Sequence, residues 1–423
     1  MRTLISLLAA LLLAACGAKG DTSKTGKVRT FNAVFESSAL RVAIDTTDIV
    51  SQLGYATLAQ YKEIDQGTKT FAVYSSGGTK LFETSFNVQD NTKQLFVVAG
   101  TQGNYSGYFI DDSTTEPADN RIKVRMIHAA AGVAGMDLYL TSTTEDIAAV
   151  NPTISNTVYR GNSGFLEMAS GTYKVRLTPV GSKDVVYESD AITLNSKDIV
   201  SFAAYPTGSG KLVNLTQLQH NDTGTGTLLA SKIARFKAAN GVAATTLNVL
   251  VDGVQRLSAI PFQGLSSYQS VPAGTRQIRM EPANTPGTAF ATASLTMDPA
   301  REYTLLSMGV AGSGSIVAIA DNTQTLNTSK IRVRVINAVN GGTPVNLLIN
   351  FTASASDVAV ASASRYVELD QGTFNISVSS ASSGATLFSI PAQLFDSDNA
   401  GKLYAVVLTG NAGAVQGVLV SDN

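Results

Sequence analysis

Residue types that build cross-links and reactive sites are scarce in this sequence of 423 residues, which has one cysteine, two histidines and no tryptophan. The single cysteine, Cys16, excludes internal disulfide bonds and cysteine-based zinc sites. Charged residues make up 15% of the chain, below the roughly 25% typical of soluble domains. The net charge is −1 with no basic run, so we expect no nucleic-acid partner. The sequence also predicts no cofactor.

The N-terminus has the order of a secretory signal peptide. Arg2 precedes an apolar stretch at residues 4–13, which is shorter than the ~20 residues that a spanning helix needs. The segment Leu13-Ala14-Ala15-Cys16 resembles the lipobox of bacterial lipoproteins. The resemblance implies cleavage between Ala15 and Cys16, diacylglycerol on the thiol and a further acyl chain, such as palmitate, on the new amino terminus.

Two or more acyl chains hold a protein stably on a membrane, so a lipidated Cys16 predicts a lasting membrane anchor. We assign residues 1–15 to the signal peptide and residues 16–26 to the lipidated cysteine and its tether. Gly17 follows the cysteine, and in Gram-negative lipoproteins the absence of Asp there favours the outer membrane. The resemblance therefore implies the bacterial cell envelope, with a periplasmic or a surface face. The alternative is a secreted protein whose signal ends near a cysteine.

Four segments of the chain share one template. An aromatic residue stands six positions before a Gly-Thr pair, and apolar residues stand three before the glycine and four and six after it. The segments are "YKEIDQGTKTFAV" from Tyr61, "FLEMASGTYKVRL" from Phe165, "YQSVPAGTRQIRM" from Tyr268 and "YVELDQGTFNISV" from Tyr366. Apolar residues two apart predict one buried strand face, and the glycine predicts a turn that joins two antiparallel strands. We expect the aromatic residue to close one end of the core.

A second shared segment opens each copy. The openings are "VRTFNA" from Val28, "VRMIHA" from Val124, "ARFKAA" from Ala234 and "VRVINA" from Val333. This alignment gives one arginine to each copy, namely Arg29, Arg125, Arg235 and Arg334. The third copy departs from the others, with Lys237 and Ala238 in place of an apolar residue and Asn or His. Copies one, three and four end on an acidic or amide tail: "YFIDD", "VAIADN" and "GVLVSDN".

Seven or so short strands per copy, with Gly, Asp and Asn turns, predict an all-β chain. The predicted architecture is four tandem antiparallel immunoglobulin-like β-sandwich modules after the signal peptide. We place the modules at residues 27–112, 123–222, 232–323 and 330–423. The second copy carries extra residues at 141–162, which we expect to form the longest loop.

These motifs resemble bacterial secreted modules grouped as domain of unknown function 4397. The resemblance rests on the V-R-x-x-(N/H)-A opening, the apolar second strand and the aromatic-x5-G-T segment, and it covers nearly all of residues 27–423 in four copies. Its motifs are structural and the family has no established activity. The resemblance therefore implies a fold and a compartment more than a function.

Candidate chemistry is sparse, since the sequence has no catalytic or phosphate-binding motif. We expect His128 to be a polar residue satisfied within a strand and His220 to be solvated next to a linker. Each repeated arginine has two readings. In the structural one, the arginine pairs with a carboxylate of the protein or lies along the sheet. In the functional one, each arginine is a candidate binding residue for an external anion, and the site is repeated in each module.

The segment Asp396-Ser-Asp398-Asn-Ala-Gly401 has the D-x-D-x-x-G start of a calcium loop, but Val407 stands where the loop needs its last glutamate. A solvated turn is the alternative, so Asp396 and Asp398 form only a weak calcium candidate, and we predict no other metal site.

The sequence favours a non-enzymatic lipoprotein of the cell envelope, whose repeated modules serve adhesion, protein interaction or a structural role. The predicted partners are the membrane, through Cys16, and a protein or polysaccharide ligand. The alternative is a polysaccharide-binding or small-ligand-binding lipoprotein with one functional module, in which aromatic and polar side chains converge at one end of a sandwich. A third class is a hydrolase with an unmarked pair of carboxylates.

Overall fold

A computed structural model describes residues 24–101, 103–208, 212–221, 226–310, 313–321 and 329–422. Ala15, Cys16 and the predicted signal peptide lie outside the described residues. The described chain consists of β-strands and two short 3-10 turns, Ile147–Ala149 and Ser397–Asn399. The prediction of an all-β fold built from sandwich modules is confirmed. Within the described ranges, no helical segment has the length and hydropathy of a membrane span.

Module 1 consists of eight strands in two sheets of four. Its strands are β1 (Thr25–Asn32), β2 (Leu40–Ile44), β3 (Thr47–Leu53), β4 (Lys62–Asp65), β5 (Gly67–Tyr74), β6 (Lys80–Val88), β7 (Lys93–Thr101) and β8 (Asn104–Asp111). One sheet has the order β4-β1-β7-β8 and the other β3-β2-β5-β6. We call the sheet that contains the first strand of a module its inner sheet, and the other its outer sheet.

Module 2 follows the same plan with one additional strand on its inner sheet. Its strands are β9 (Arg121–His128), β10 (Met136–Thr141), β11 (Ile154–Thr157), β12 (Leu166–Ala169), β13 (Gly171–Pro179), β14 (Tyr187–Leu194), β15 (Ile199–Pro206), β16 (Val213–Gln219) and β17 (Gly226–Leu229). The inner sheet is β12-β9-β15-β16-β17 and the outer sheet is β11-β10-β13-β14. Strand β17 lies between the second and third predicted modules and pairs with β16.

Modules 3 and 4 repeat this arrangement. Module 3 contains β18 (Ile233–Asn240), β19 (Leu247–Val251), β20 (Val254–Ile260), β21 (Gln269–Pro272), β22 (Gly274–Pro282), β23 (Ala291–Met297), β24 (Glu302–Met308) and β25 (Ser315–Ala320). Module 4 contains β26 (Ile331–Asn337), β27 (Val345–Ile349), β28 (Thr352–Val358), β29 (Ser362–Ala363), β30 (Val367–Leu369), β31 (Gly372–Ser380), β32 (Thr386–Phe395), β33 (Leu403–Asn411) and β34 (Ala414–Ser421). The inner sheets are centred on β18-β24 and β26-β33.

One strand pair in each inner sheet is parallel, although the sequence predicted antiparallel sheets throughout. The parallel pairs are β1 with β7, β9 with β15, β18 with β24, and β26 with β33. The strands between the two partners cross to the outer sheet and back, which supplies the long connection that a parallel pair requires.

The repeated Gly-Thr segment marks a crossing between sheets, which corrects the predicted hairpin. Strand β4 pairs with β1 in the inner sheet, whereas β5, which begins at Gly67, pairs with β2 and β6 in the outer sheet. Gly67 and Gly274 have φ angles of 121° and 107°, a region that suits glycine because it lacks a Cβ atom. The apolar residues after each glycine are buried in the module cores as predicted, including Phe71 and Val73.

The extra residues of module 2 are more ordered than the predicted loop. They contain the 3-10 turn Ile147–Ala149, capped by Asp146, whose carboxylate accepts from the Ala148 N–H at 2.9 Å. They also contain β11, which forms the edge of the outer sheet beside β10. The insertion therefore lengthens an edge of the sandwich.

The modules pack in two pairs through their inner sheets. In β7, Phe96 and Val98 lie in the core of module 1, while Leu95, Val97 and Ala99 face a separate apolar cluster shared with module 2. Module 2 contributes Ile127, Ala129, Ala203, Tyr205 and Leu218 to that cluster. A matching cluster joins modules 3 and 4 through Ala239, Leu306, Met308, Ile336, Ala338, Ala405 and Val407. Each inner sheet is thus buried on both faces.

Candidate functional site

The repeated basic residues lie on the first strand of each module, in the inner sheet, and point into the interface between paired modules. In the 1–2 pair, Arg29 of module 1 and Arg125 of module 2 bind the same carboxylate, Asp112, which follows the last strand of module 1. Arg29 Nε donates to Asp112 Oδ2 at 2.6 Å, and Arg125 Nη2 donates to Asp112 Oδ1. The exposed fractions of the three side chains are between 0% and 1%, so this ion cluster is sealed from solvent.

Contacts across the module boundary complete the environment of the two arginines. Arg29 Nη1 donates to the Gln219 carbonyl at 2.6 Å, and Arg125 Nε donates to Ser201 Oγ at 2.7 Å. Arg125 Nη1 also donates to the Asp111 carbonyl at 2.7 Å. Both guanidinium groups are therefore occupied by acceptors within the protein.

His220 belongs to this cluster, and the prediction that it is solvated is wrong. Its side chain is 4% exposed, and Nε2 lies 3.2 Å from Arg29 Nη2 and 2.7 Å from Ser201 Oγ. Because a guanidinium can only donate, we assign Nε2 as an acceptor and a neutral ring with its proton on Nδ1. Burial lowers the pKa of His220 to about 3, which is consistent with the neutral form.

Strand register identifies Lys237 as the third-copy counterpart of the arginines, whereas the sequence alignment placed Arg235 there. In the parallel pairs, Arg29 is opposite Leu95, Lys237 is opposite Thr304, and Arg334 is opposite Ala405. A backbone hydrogen bond gives the same alignment. The residue after the last strand, which is Asp112, Asp321 or Asp422 in modules 1, 3 and 4, donates its N–H to a carbonyl on the strand that pairs in parallel with the first strand. In each module, the residue opposite the basic side chain lies two positions after that carbonyl. The third opening is therefore F-K-A-A-N-G over residues 236–241.

Arg235 lies two residues earlier on β18 and makes a separate buried ion pair. Its Nη1 donates to Glu302 Oε1 at 2.7 Å, directly across the parallel strand pair. Burial raises the pKa of Glu302, and the opposing effect of Arg235 is too small to restore its usual value.

The 3–4 pair has a second ion cluster in which the basic groups reach across to the partner module. Lys237 Nζ donates to Asp422 of module 4, both to its carbonyl at 2.5 Å and to its carboxylate. Arg334 Nη1 donates to Asp321 of module 3 at 2.7 Å, and its Nε donates to Asp422 at 2.6 Å. Two cations and two carboxylates therefore meet between the modules.

The repeated aromatic residue covers this cluster and does not close the end of the core as predicted. Tyr61 and Tyr366 donate to Asp112 and Asp422, and Tyr268 donates to Asp321 at 2.6 Å. The rings also lie beneath the cations, with Arg29 4.8 Å from the Tyr61 centroid and Lys237 4.5 Å from the Tyr268 centroid. In module 2, Phe165 lies under Arg125 and against the His220 ring.

The protonation states follow from these contacts. Burial acts against a charged Asp112, but the guanidinium groups of Arg29 and Arg125 and the hydrogen bond from Tyr61 favour the charged form, and its pKa is lowered to about 2. Burial likewise opposes the charge on Asp422, while Arg334 and Lys237 lower its pKa. Asp112 and Asp422 are therefore ionised at neutral pH, and each makes ionic contacts that are buried between modules.

The Asn or His of the opening segment caps the end of the first strand. Asn32 Oδ1 accepts from the Val34 N–H at 3.0 Å, and Asn240 Oδ1 accepts from the Val242 N–H at 2.9 Å. His128 does the same with Nδ1, which accepts from the Ala130 N–H at 3.2 Å, so its Nε2 donates to the Ala134 carbonyl at 2.8 Å. The expectation that His128 is a satisfied polar residue of a strand is confirmed.

The weak calcium candidate lies at a 3-10 turn. Asp396 caps the turn Ser397–Asn399, and its Oδ1 accepts from the Asp398 N–H at 2.9 Å. In the described ranges, no group of three or more His, Cys, Asp or Glu side chains is placed to hold a metal ion.

Sequence reasoning missed the acidic partners of the cluster. The acidic tails of copies one, three and four were visible in the sequence, but their tertiary partners were not assigned. The signal that could have identified them is positional, because Asp112, Asp321 and Asp422 each come directly after a closing strand. His220 occupies the same position in module 2, where its N–H donates to the Ile199 carbonyl.

Comparison with known proteins gives a family but no activity. The family model "Domain of unknown function (DUF4397)" matches residues 26–139, 234–340 and 331–423. No curated protein matches the sequence.

Matching solved structures include CBMbc of family CBM26 from Eubacterium rectale, in complex with maltoheptaose, at 9% identity and a TM-score of 0.15, covering 43% of this chain and 91% of that chain. Another is BcpA, the major pilin subunit of Bacillus cereus, at 8% identity and a TM-score of 0.14, covering 95% of this chain and 96% of that chain. Both TM-scores are too low to indicate a shared fold. Because the family model covers more than half of the chain, the protein belongs to the DUF4397 family.

Proposed function

We propose that this protein is a non-enzymatic lipoprotein of the bacterial cell envelope that displays two stiff module pairs for an adhesive or structural role. The observation that supports it best is that the two modules of each pair are joined by both an apolar cluster and a buried ion cluster. Asp112 is bound by arginines from two modules at once, and Asp422 is bound by Lys237 and Arg334. Such contacts hold a fixed geometry between neighbouring modules.

Stiff pairs suit display at a distance from a membrane. A flexible string of four modules would sample many orientations, whereas a paired module presents its free surfaces in a defined relation to its partner. Arg29, Arg125 and Arg334 serve this internal purpose in the proposal, because they donate to Asp112, Asp321, Asp422 and backbone carbonyls. An external anion would have to displace these partners from a buried position.

The anchor at Cys16 is the part of the proposal that fixes the compartment. We expect the native protein to begin at Cys16, to carry the mass of its acyl chains and to sediment with the outer membrane. The test is intact-mass spectrometry and membrane fractionation beside a Cys16→Ala variant, with Ser23→Ala as a matched change in the tether. The anchor is supported if the Cys16→Ala protein is lost from the membrane fraction while the Ser23→Ala protein stays in it. An unlipidated native chain released into the medium contradicts it.

The absence of enzymatic activity is a separate part of the proposal. It is tested with a panel of esterase, glycosidase and peptidase substrates offered to the purified full chain. Turnover that copurifies with the protein and is lost on substitution of a carboxylate in a module would favour the hydrolase alternative.

A further inference from the structure

A groove opens at one end of the 3–4 pair, beyond the C-terminal ends of β18 and β26. It has two parts, of about 530 Å³ and 220 Å³, which share Thr245 and Pro282 as lining residues. The smaller part is lined by both modules, since it includes Gly241 of module 3 and Asn340 of module 4. The larger part lies within the roughly 300–1,000 Å³ typical of ligand sites.

The corresponding end of the 1–2 pair is filled by aromatic side chains. The Tyr55 ring packs edge-on against Phe35 of its own module at 5.6 Å and against Tyr205 of module 2 at 5.3 Å. The Tyr55 hydroxyl donates to the Pro206 carbonyl of module 2. Three rings and a proline therefore close the boundary between modules 1 and 2.

Smaller residues stand at three of these four positions in the 3–4 pair. The strand registers that align Lys237 with Arg29 also align Ala243 with Phe35, Thr409 with Tyr205 and Gly410 with Pro206. Phe262 takes the place of Tyr55, and its neighbour Gln263 makes the bridge between the modules, with Nε2 donating to Thr409 Oγ1 at 2.9 Å. Ala243 and Gly410 line the smaller part of the groove, at positions where the first pair has Phe35 and Pro206.

The chemistry of the lining restricts what the groove can bind. None of its lining residues, all within the described part of the chain, carries a charged side chain. Hydrogen-bonding groups come from amides and hydroxyls, including Asn340, Asn411 and Asn284, and from threonines such as Thr246 and Thr285.

Apolar surface lies beside these groups. Phe262, Pro282 and Phe290 line the groove, and Val310 is 53% exposed at its edge. A charged ligand would lose hydration here without gaining an ion pair. A neutral ligand with many hydroxyl groups and apolar ring faces matches both kinds of surface.

We infer that the groove between modules 3 and 4 binds a neutral oligosaccharide segment, with the asparagine and threonine side chains bonding its hydroxyls and Phe262 contacting a sugar face. The inference goes beyond the display role and does not depend on the lipid anchor. It accounts for the different residues at the same end of the two pairs, because Ala243 and Gly410 line the groove where the first pair has Phe35 and Pro206.

The test is an array of neutral and acidic oligosaccharides probed with the full chain in detergent, followed by calorimetric titration with the neutral hexasaccharide that binds best. The blocking variant, Ala243→Phe, places an aromatic side chain at an exposed position that lines the groove, as Phe35 stands in module 1. We expect it to weaken binding at least tenfold. Ala353→Phe, an equally bulky change on an exposed strand outside the groove, serves as the control and leaves the affinity unchanged. Thermal unfolding of both variants verifies that they are folded.

Three results would overturn the inference. They are the absence of binding to any neutral oligosaccharide on the array, an affinity that the blocking variant does not change, and binding only to acidic oligosaccharides. Capture of an apolar peptide in the groove, competed by no sugar, would assign the site to a protein ligand instead. The Cys16→Ala fractionation is independent of each of these outcomes.

Discussion

Arg29 and Asp112 form a fully buried ion pair, with Arg29 Nε donating to Asp112 Oδ2 at 2.6 Å across a separation of 83 residues. Arg29 lies on the first strand of module 1, and Asp112 follows its last strand. Arg125 of module 2 binds the other carboxylate oxygen, so one acidic side chain ties the module to its neighbour. The first and last strands of module 1 therefore meet at the place where module 2 of the same chain binds.

Replacing Asp112 by asparagine should strongly destabilise the 1–2 pair. The change leaves two buried guanidinium groups without a carboxylate, and breaking a buried pair in this way costs about 3–5 kcal/mol. We expect the free energy of unfolding of modules 1 and 2 to fall by that amount in urea titrations. Glu83→Gln is the matched control, because the Lys80–Glu83 pair is about half exposed and solvent screening leaves such a pair little effect on stability. Equal effects of the two changes would contradict a structural role for the cluster.

The 1–2 pair should lose stability in mild acid before the 3–4 pair does. The sequence has only two histidines, His128 and His220, and both lie in module 2. Burial lowers the pKa of His220 to about 3 and also lowers the pKa of His128 below its usual 6.5. The unfolded state therefore binds more protons in this range, and stability falls as the pH drops from about 6.5 towards 3.

The 3–4 pair titrates differently. The pKa of Asp422 is lowered from 3.8, so its contribution is present above that value and is lost only at lower pH. Glu302, whose pKa burial raises, acts in the opposite direction near pH 4.5. In calorimetry at pH 7 and pH 4.5, we expect one unfolding transition to shift down and the other to move little. The double variant His128→Asn with His220→Gln should remove the shift, and an unchanged shift would assign it to other groups.

The sandwich modules were predictable from the sequence because their signals are local. Apolar residues two apart after each repeated glycine, such as Ile376 and Val378, identify buried strand faces, and both are fully buried. The direction of the chain at the glycine was not predictable in the same way. A turn and a crossing between sheets use the same residue, and only tertiary pairing distinguishes them.

The pairing of modules had a signal that sequence reasoning did not use. The runs "QLFVVAG" and "KLYAVVL" are apolar at successive positions, and a continuous apolar strand is buried on both faces. A module that stood alone would show alternation on β7, as it does on β6. The register of the third copy was misassigned because Arg235 matched the arginine of the other openings, while Asn240 was the better guide to the end of the strand.

The strand cap predicts a difference between two substitutions at one position. Asn337 Nδ2 donates to the Val358 carbonyl at 3.1 Å, and Oδ1 accepts from the Val339 N–H. Asn337→His should be tolerated, since His128 fills the same role in module 2. Asn337→Leu leaves buried backbone groups unpaired and should cost about 1–3 kcal/mol in chemical unfolding. A leucine variant as stable as the histidine variant would mean that the cap contributes no stability.

A charge placed in the apolar cluster between modules 3 and 4 should separate them without unfolding either one. Val407 is fully buried on β33, but it faces module 3, whereas its neighbours Val406 and Leu408 lie in the core of module 4. Val407→Glu therefore buries an unpaired carboxylate only while the pair is closed, and opening the interface returns that carboxylate to water. Small-angle scattering should show a larger radius of gyration. Amide hydrogen exchange should become faster on β24 and β33, with little change on β31. Val406→Glu is the matched control, because the same charge one position along enters the core and should unfold module 4. If both variants lost protection on β31 equally, the two faces of β33 would belong to one cooperative core, and modules 3 and 4 would not be separable units.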